Sequence, residues 1–231
     1  MLQDITLFFV VELIGTIAFA CSGAMVAIEK RLDLLGVIVL GVTTAVGGGM
    51  LRDIIIGIHP PTLFMKPVYV TTAFAAVMVL FLIVRYQAMP MEALSSVTYE
   101  RVMNLLDAIG LGAFTVVGID TAIGAGYGDY HFLMIFLGVI TGVGGGILRD
   151  IMAGQTPYVL KKHVYACASI AGAVCYVVLL DAMQQEMAMV ISAVLVVVIR
   201  LLARIISGIC LRRCRGQAEC LDCGQSSSGR K

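Results

Sequence analysis

The chain of 231 residues is 60% hydrophobic and 13% charged, with a mean hydropathy of +0.98 and no tryptophan, whereas a soluble domain usually carries about 25% charged residues. This excludes a soluble globular protein and indicates a polytopic, all-α membrane protein. The net charge of +1 says nothing about partners as a total, but the placement of the basic residues along the chain is informative.

About 20 helical residues cross a ~30 Å hydrocarbon core, and apolar runs of that length can be laid along the chain seven times. Span 1 covers residues 5–28; it has no basic n-region and holds Glu12, so it reads as a retained span and not as a cleaved signal. Span 2, residues 34–57, contains Thr43 and Thr44 and then Gly47-Gly48-Gly49-Met50-Leu51-Arg52-Asp53, with Pro60-Pro61 expected to end its helix. Span 3 covers 67–86. Span 4, 101–124, contains Asp107. Span 5, 131–154, contains Thr141 and Gly144-Gly145-Gly146-Ile147-Leu148-Arg149-Asp150, with Pro157 as its expected terminator. Span 6 covers 162–181. Span 7, 187–207, needs Arg200 and Arg204 to snorkel or pair. Residues 208–231 form a cytoplasmic tail.

The chain is an internal duplication. Besides the two Gly-Gly-Gly-x-x-Arg-Asp signatures, Glu12-x-Ile14-Gly15-x-x-Ala18-Phe19-x-x-x-Gly23 matches Asp107-x-Ile109-Gly110-x-x-Ala113-Phe114-x-x-x-Gly118. Gly41 matches Gly138, and Lys66-x-Val68-Tyr69 matches Lys162-x-Val164-Tyr165. Residues 5–86 and 101–181 are thus two three-helix repeats. Because three is odd, the second enters the membrane from the other side, which gives inverted units around a pseudo-two-fold axis in the membrane plane, with the seventh helix, 187–207, left over.

Each glycine costs roughly 1 kcal/mol against alanine in a helix interior, so the triplets are expected to break helices 2 and 5 near mid-membrane. Unwound carbonyls there could replace part of a cation's hydration shell, with Thr43, Thr44 and Thr141 adding hydroxyl oxygens. The competing reading is close helix packing, for which one glycine would suffice. Counted by depth at ~1.5 Å per residue, Glu12 lies level with Arg52 and Asp107 with Arg149, so two symmetry-related buried pairs are expected, with Asp53 and Asp150 beside them. The cross-pairs Arg52 with Asp150 and Arg149 with Asp53 would have to bridge most of the core.

Lys30 and Arg31, then Arg85 and Arg101, then Lys161 and Lys162 fall in loops on one side of the membrane; the other side has Lys66, Asp120, Asp129, Asp181 and Glu186. The positive-inside rule puts the N-terminus outside and the arginine-containing tail in the cytoplasm. Asp120 and Asp129 read as a solvated outer loop or a weak cation-attracting vestibule.

The doubled signature inside an inverted three-plus-three repeat with a seventh helix resembles the prokaryotic branch of the trimeric intracellular cation (TRIC) channel family, whose bacterial members are also grouped as glycine transporters. The resemblance covers about residues 5–207. It implies a homotrimer in a bacterial inner membrane, surrounded by membrane lipids, with one pore per protomer passing K⁺ and Na⁺ between helices 2 and 5. Animal members carry a lysine-containing motif there and bind phosphoinositides; this chain has Gly-Gly-Gly-x-x-Arg-Asp in both copies, and lipid gating is not carried over.

The alternative is a secondary carrier of a small zwitterion such as glycine, for which a helix N-terminus would face the carboxylate and an acidic residue the ammonium. The sequence shows no nucleotide loop, catalytic triad or metal-ligand helix pair, so neither an enzyme nor a cofactor is expected, and the basic tail is too short for a nucleic-acid domain. His59, His131 and His163 share no helix face. Of the seven cysteines, Cys21, Cys167 and Cys175 lie in apolar segments, and Cys210, Cys214, Cys220 and Cys223 in the tail leave zinc, acylation and a disordered segment as open readings.

Overall fold

The computed structural model describes residues 2–86, 96–161 and 164–203. The tail 208–231 with its four cysteines, and also Lys162, His163 and Arg204, lie outside the described residues. The elements are α1 (Leu2–Glu29), α2 (Leu34–Ile56), the single turn α3 (Thr62–Met65), α4 (Val68–Tyr86), α5 (Ser96–Gly124), α6 (His131–Met152), the single turn α7 (Tyr158–Lys161), α8 (Val164–Leu180) and α9 (Gln185–Ala203). Six of these helices have at least 19 residues and the hydropathy to cross a membrane, and α8 is a shorter apolar helix of 17 residues, about 26 Å long at the helical rise. The protein is a multi-pass membrane protein, and its helices match the seven expected spans.

Local chemistry sets the ends of the second helix in each repeat. The Asp33 carboxylate accepts from the Gly36 amide at 2.8 Å and caps the start of α2. At the other end Gly57 adopts the left-handed conformation (φ 77°) while the Ile58 amide returns to the Asp53 carbonyl. Gly154 (φ 67°) and Gln155, whose amide returns to the Asp150 carbonyl, repeat the device after α6. Glycine caps therefore end these helices, and Pro60, Pro61 and Pro157 come later, at the approaches to α3 and α7.

The expected interruption at the glycine triplets is absent. Both α2 and α6 are continuous helix through Gly47–Gly49 and Gly144–Gly146. The physical reason is close approach. A β-carbon at Gly48 would collide with the Thr141 carbonyl oxygen, and one at Gly145 with the Thr44 carbonyl oxygen, so each helix crosses the other at backbone distance. The helix propensity lost at the glycines is offset by a contact that no other residue permits.

The first helices of the two repeats cross in the same reciprocal way. The Phe19 ring occupies the space over Gly110, the Phe114 ring lies over Gly15, and the two rings stand 5.4 Å apart. Helices α1, α2, α5 and α6 thus form a central four-helix unit. Helix α4 covers α1 and α2 on one flank, and α8 covers α5 and α6 on the other, as an inverted repeat requires. Helix α9 has no counterpart; it packs on α5, where the Ala193 carbonyl meets Gly112, and on α8, where Val196 fills the space over Gly172. Exposed apolar side chains such as Phe74 and Val79 on α4, Val174 and Val178 on α8 and Val194 on α9 provide the lipid-facing surface.

Candidate functional site

Six charged residues of the two repeats are buried: Glu12, Arg52, Asp53, Asp107, Arg149 and Asp150 are each at most 7% exposed. They gather in two clusters, toward opposite ends of α1. In each, the aspartate of the signature does two tasks. Asp53 Oδ1 accepts from Arg52 Nε at 2.9 Å and Nη2 at 2.8 Å, while its Oδ2 accepts from the Thr62 amide at 2.7 Å at the start of α3. Asp150 Oδ1 accepts from Arg149 Nε and Nη2 at 2.9 Å, and its Oδ2 accepts from the Tyr158 amide at 2.6 Å at the start of α7. Such charge-assisted contacts, two nitrogens on one carboxylate oxygen and a backbone amide on the other, fix a long arginine in place and tie the loop after each helix back onto its end. The cross-pairs do not occur: each arginine is held by the aspartate next to it.

The clusters differ at the carboxylate of the first helix. Asp107 Oδ1 accepts from Arg149 Nη1 at 2.8 Å, so these two residues do meet, and Ser22 also accepts from Arg149 Nη1. Glu12 instead accepts a hydrogen bond from the Tyr69 hydroxyl, and among the described residues no basic nitrogen lies within 4.0 Å of it. Glu12 and Arg52 line one small cavity without forming a direct pair. Lone carboxylates in lipid need such partners, because an unsatisfied buried charge costs several kcal/mol.

Three partners escaped the sequence reading. Tyr69 and Tyr165 were visible as the ends of the repeated Lys-x-Val-Tyr motif, and they stand beside the Glu12 and Asp107 clusters respectively. Arg200 of α9 donates to Asp107 Oδ2 at 3.2 Å and lies over the rings of Tyr165 (4.3 Å) and Tyr158 (5.5 Å). The sequence marked it only as a residue that must snorkel or pair.

The two clusters open into two cavities. The first, of about 30 Å³, is lined by Glu12, Thr16, Gly49, Arg52, Thr62 and Tyr69. The second, of about 290 Å³, is lined by Glu29, Tyr99, Asp107, Arg149, Asp150 and Tyr158. Between them lie the α2–α6 crossing at Gly48 and Gly145 and the Phe19–Phe114 pair. The Thr44 and Thr141 hydroxyls donate to the Leu40 and Leu137 carbonyls at 2.6 Å, and the backbone carbonyls of the same threonines are covered by the opposing glycines. Gly47 faces Leu148, Gly144 faces Leu51 and Gly146 faces the Tyr165 hydroxyl, whereas Gly49 is the roomier position, next to Arg52. Thr43 is elsewhere, half-buried in a groove between α2 and α4 lined by Val39, Val70 and Phe74. Asp120 is not a freely solvated loop residue: it accepts from Tyr176 at 3.1 Å and from Gln185, joining α5, α8 and α9, while Asp129 is exposed.

The sequence model of a family described as "Glycine transporter" matches residues 9–85 and 104–181, which are the two repeats. The UPF0126 membrane protein of Deinococcus radiodurans is 40% identical over 164 residues, covering 70% of this chain and 71% of that one. The chain belongs to this family. Another UPF0126 member, YvgT of Bacillus subtilis, is 40% identical over 163 residues, covering 70% and 75% of the two chains. Solved structures of TRIC channels share the family fold. One, described as the "Structural basis for conductance through TRIC cation channels", has 34% identity and a TM-score of 0.73, covering 87% of this chain and 94% of the other. The TRIC orthologue from Rhodobacter sphaeroides has 30% identity and a TM-score of 0.77, covering 87% and 99%. This chain is thus a prokaryotic member of the TRIC branch, with the inverted repeat as its fold.

Proposed function

We propose that the chain is a cation channel for K⁺ and Na⁺, assembled as a homotrimer in the bacterial inner membrane with one pathway in each protomer. The pathway runs between α1, α2, α5 and α6 and joins the Glu12–Arg52 cavity to the Asp107–Arg149 cavity. The observation that carries this reading is the likeness to TRIC cation channels over 87% of the chain, together with charged cavities on the two sides of one constriction. Backbone contact at Gly48 and Gly145 makes the constriction a closed gate, and a small separation of α2 from α6 would expose the Thr44 and Thr141 carbonyls to a dehydrating cation. The N-terminus lies outside, so the Glu12 cavity faces outward and the Asp107 cavity faces the cytoplasm.

A second reading, carriage of glycine, is favoured by the description of the matching family. A cavity on each side of a closed centre also suits alternating access. Planar-bilayer recording of the purified protein separates the two. Unitary K⁺ currents that grow with KCl support the channel; electrical silence with saturable glycine uptake into liposomes supports the carrier and overturns the first reading.

A further inference from the structure

The two clusters correspond residue for residue, Glu12 to Asp107, Arg52 to Arg149, Asp53 to Asp150 and Tyr69 to Tyr165, but the contacts of the first-helix carboxylate differ: Glu12 is held by Tyr69, and Asp107 by guanidinium groups. In the second cluster the Asp107 carboxylate is held by two guanidinium groups, Arg149 at 2.8 Å and Arg200 at 3.2 Å. Two carboxylates there face two buried cations. In the first cluster Glu12 and Asp53 face Arg52 alone, and that guanidinium is bound by Asp53 at 2.8 Å. Lys66, nearby, is exposed and also lines a separate cavity with Asp120 and Glu186. Glu12 is 7% exposed and its hydrogen-bond partner is a neutral hydroxyl, so an ionised Glu12 adds a negative charge that no buried basic group binds directly.

We propose that the Glu12 cavity binds one monovalent cation, which takes there the part that the Arg200 guanidinium takes at Asp107. The proposal deepens the cation-channel reading and rests on it for the identity of the ion. The chemistry fits. The cavity, of about 30 Å³, holds one ion of water-like size. The residues that line it include the carboxylates Glu12 and Asp53, the latter bound to Arg52, together with Tyr69 and Thr16, whose hydroxyl donates to the Glu12 carbonyl at 2.7 Å and keeps its lone pairs. Hard cations take such oxygen ligands, and one uncompensated negative charge suits a single positive one. Arg200 would then be a tethered cation on α9 that fills the inner site permanently, making the outer site the place where a permeant ion rests.

The test is thermal unfolding of the full-length protein in detergent, in KCl, RbCl, CaCl₂ or N-methyl-D-glucamine chloride at equal ionic strength. A ligand that binds only the folded state raises Tm with its concentration. K⁺ and Rb⁺ are expected to raise Tm by several degrees over N-methyl-D-glucamine. Glu12→Gln should remove that rise, and Arg200→Gln should enlarge it by freeing Asp107. A K⁺ rise unchanged in Glu12→Gln, or a larger rise with Ca²⁺, overturns the proposal. Should Glu12→Gln fail to fold, the wild-type protein crystallised in RbCl decides: an anomalous peak against the Glu12 carboxylate supports the site, and its absence overturns it. Bilayer recording keeps the two readings apart. Binding without unitary currents leaves the site standing and removes the channel, whereas currents without either binding signal remove the site alone.

Discussion

Gly48 and Gly145 face one another across the α2–α6 crossing, and each leaves room only for the partner helix's carbonyl oxygen, that of Thr141 or Thr44. Alanine at either position would gain roughly 1 kcal/mol of helix propensity but insert a methyl group against backbone, which cannot rotate away. Overpacking of this kind costs about 1–3 kcal/mol, so the collision wins. Gly48→Ala and Gly145→Ala should each lower Tm in detergent and shift gating in the same sense. Gly49→Ala, where the new β-carbon would meet only Arg52 Nη2 at 3.8 Å, should keep or raise Tm. Equal losses at Gly48 and Gly49 would remove the crossing as the explanation.

The charge clusters predict unequal coupling. Asp107 and Arg149 touch, so a double-mutant cycle of Asp107→Asn with Arg149→Gln should give a coupling of about 2–3 kcal/mol in denaturant titrations. Glu12 and Arg52 share a cavity without a direct ion pair, and the cycle of Glu12→Gln with Arg52→Gln should give less than about 1 kcal/mol. A strong coupling in the second cycle would mean that Arg52 reaches Glu12 and not Asp53.

Much of the fold was legible because apolar length and doubled motifs survive in sequence: the spans, the inversion and the extra helix follow from them. The role of the glycine triplets was not, because a helix-weakening residue and a residue that admits a second backbone look the same in one chain. Depth counting placed Asp107 level with Arg149 but could not show that an arginine would also turn to the aspartate beside it. Neighbours on a helix do not ordinarily face each other. That geometry arises only because Asp53 and Asp150 sit at helix ends, where the next segment folds back to use the second carboxylate oxygen. Arg200 was unassignable, since the rotation of a helix without a repeat partner is set by tertiary contacts.

The aspartate caps predict local hydrogen exchange. The Thr62 and Tyr158 amides are bound by Asp53 and Asp150 at 2.7 and 2.6 Å. Hydrogen bonds to charged groups contribute about 1.5–3 kcal/mol, so Asp53→Ala should speed exchange at Thr62 roughly 10- to 100-fold, and Asp150→Ala should do the same at Tyr158. Asparagine, which keeps an acceptor, should have a smaller effect. Unaltered exchange in both alanine variants would show that these carboxylates do not hold α3 and α7.

The orientation of the two cavities can be tested from the loops. Lys30 and Arg31 begin the α1–α2 connection, Arg85 and Arg101 flank the next loop on that side, and Lys161 and Lys162 lie in the third; the opposite loops have Lys66 as their only lysine or arginine. Basic residues in short loops stay in the cytoplasm during insertion, which places His59 and Asp129 outside and Arg31 inside. All three side chains are exposed in the structure, so accessibility does not confuse the comparison. In a variant with its native cysteines replaced, His59→Cys and Asp129→Cys should react with a membrane-impermeant maleimide on intact cells. Arg31→Cys should react only after permeabilisation. The reverse pattern would turn the Glu12 cavity to the cytoplasm, while labelling of His59→Cys without Asp129→Cys would contradict the three-plus-three arrangement, in which α4 ends one repeat, α5 begins the next and both cross the membrane between the two loops.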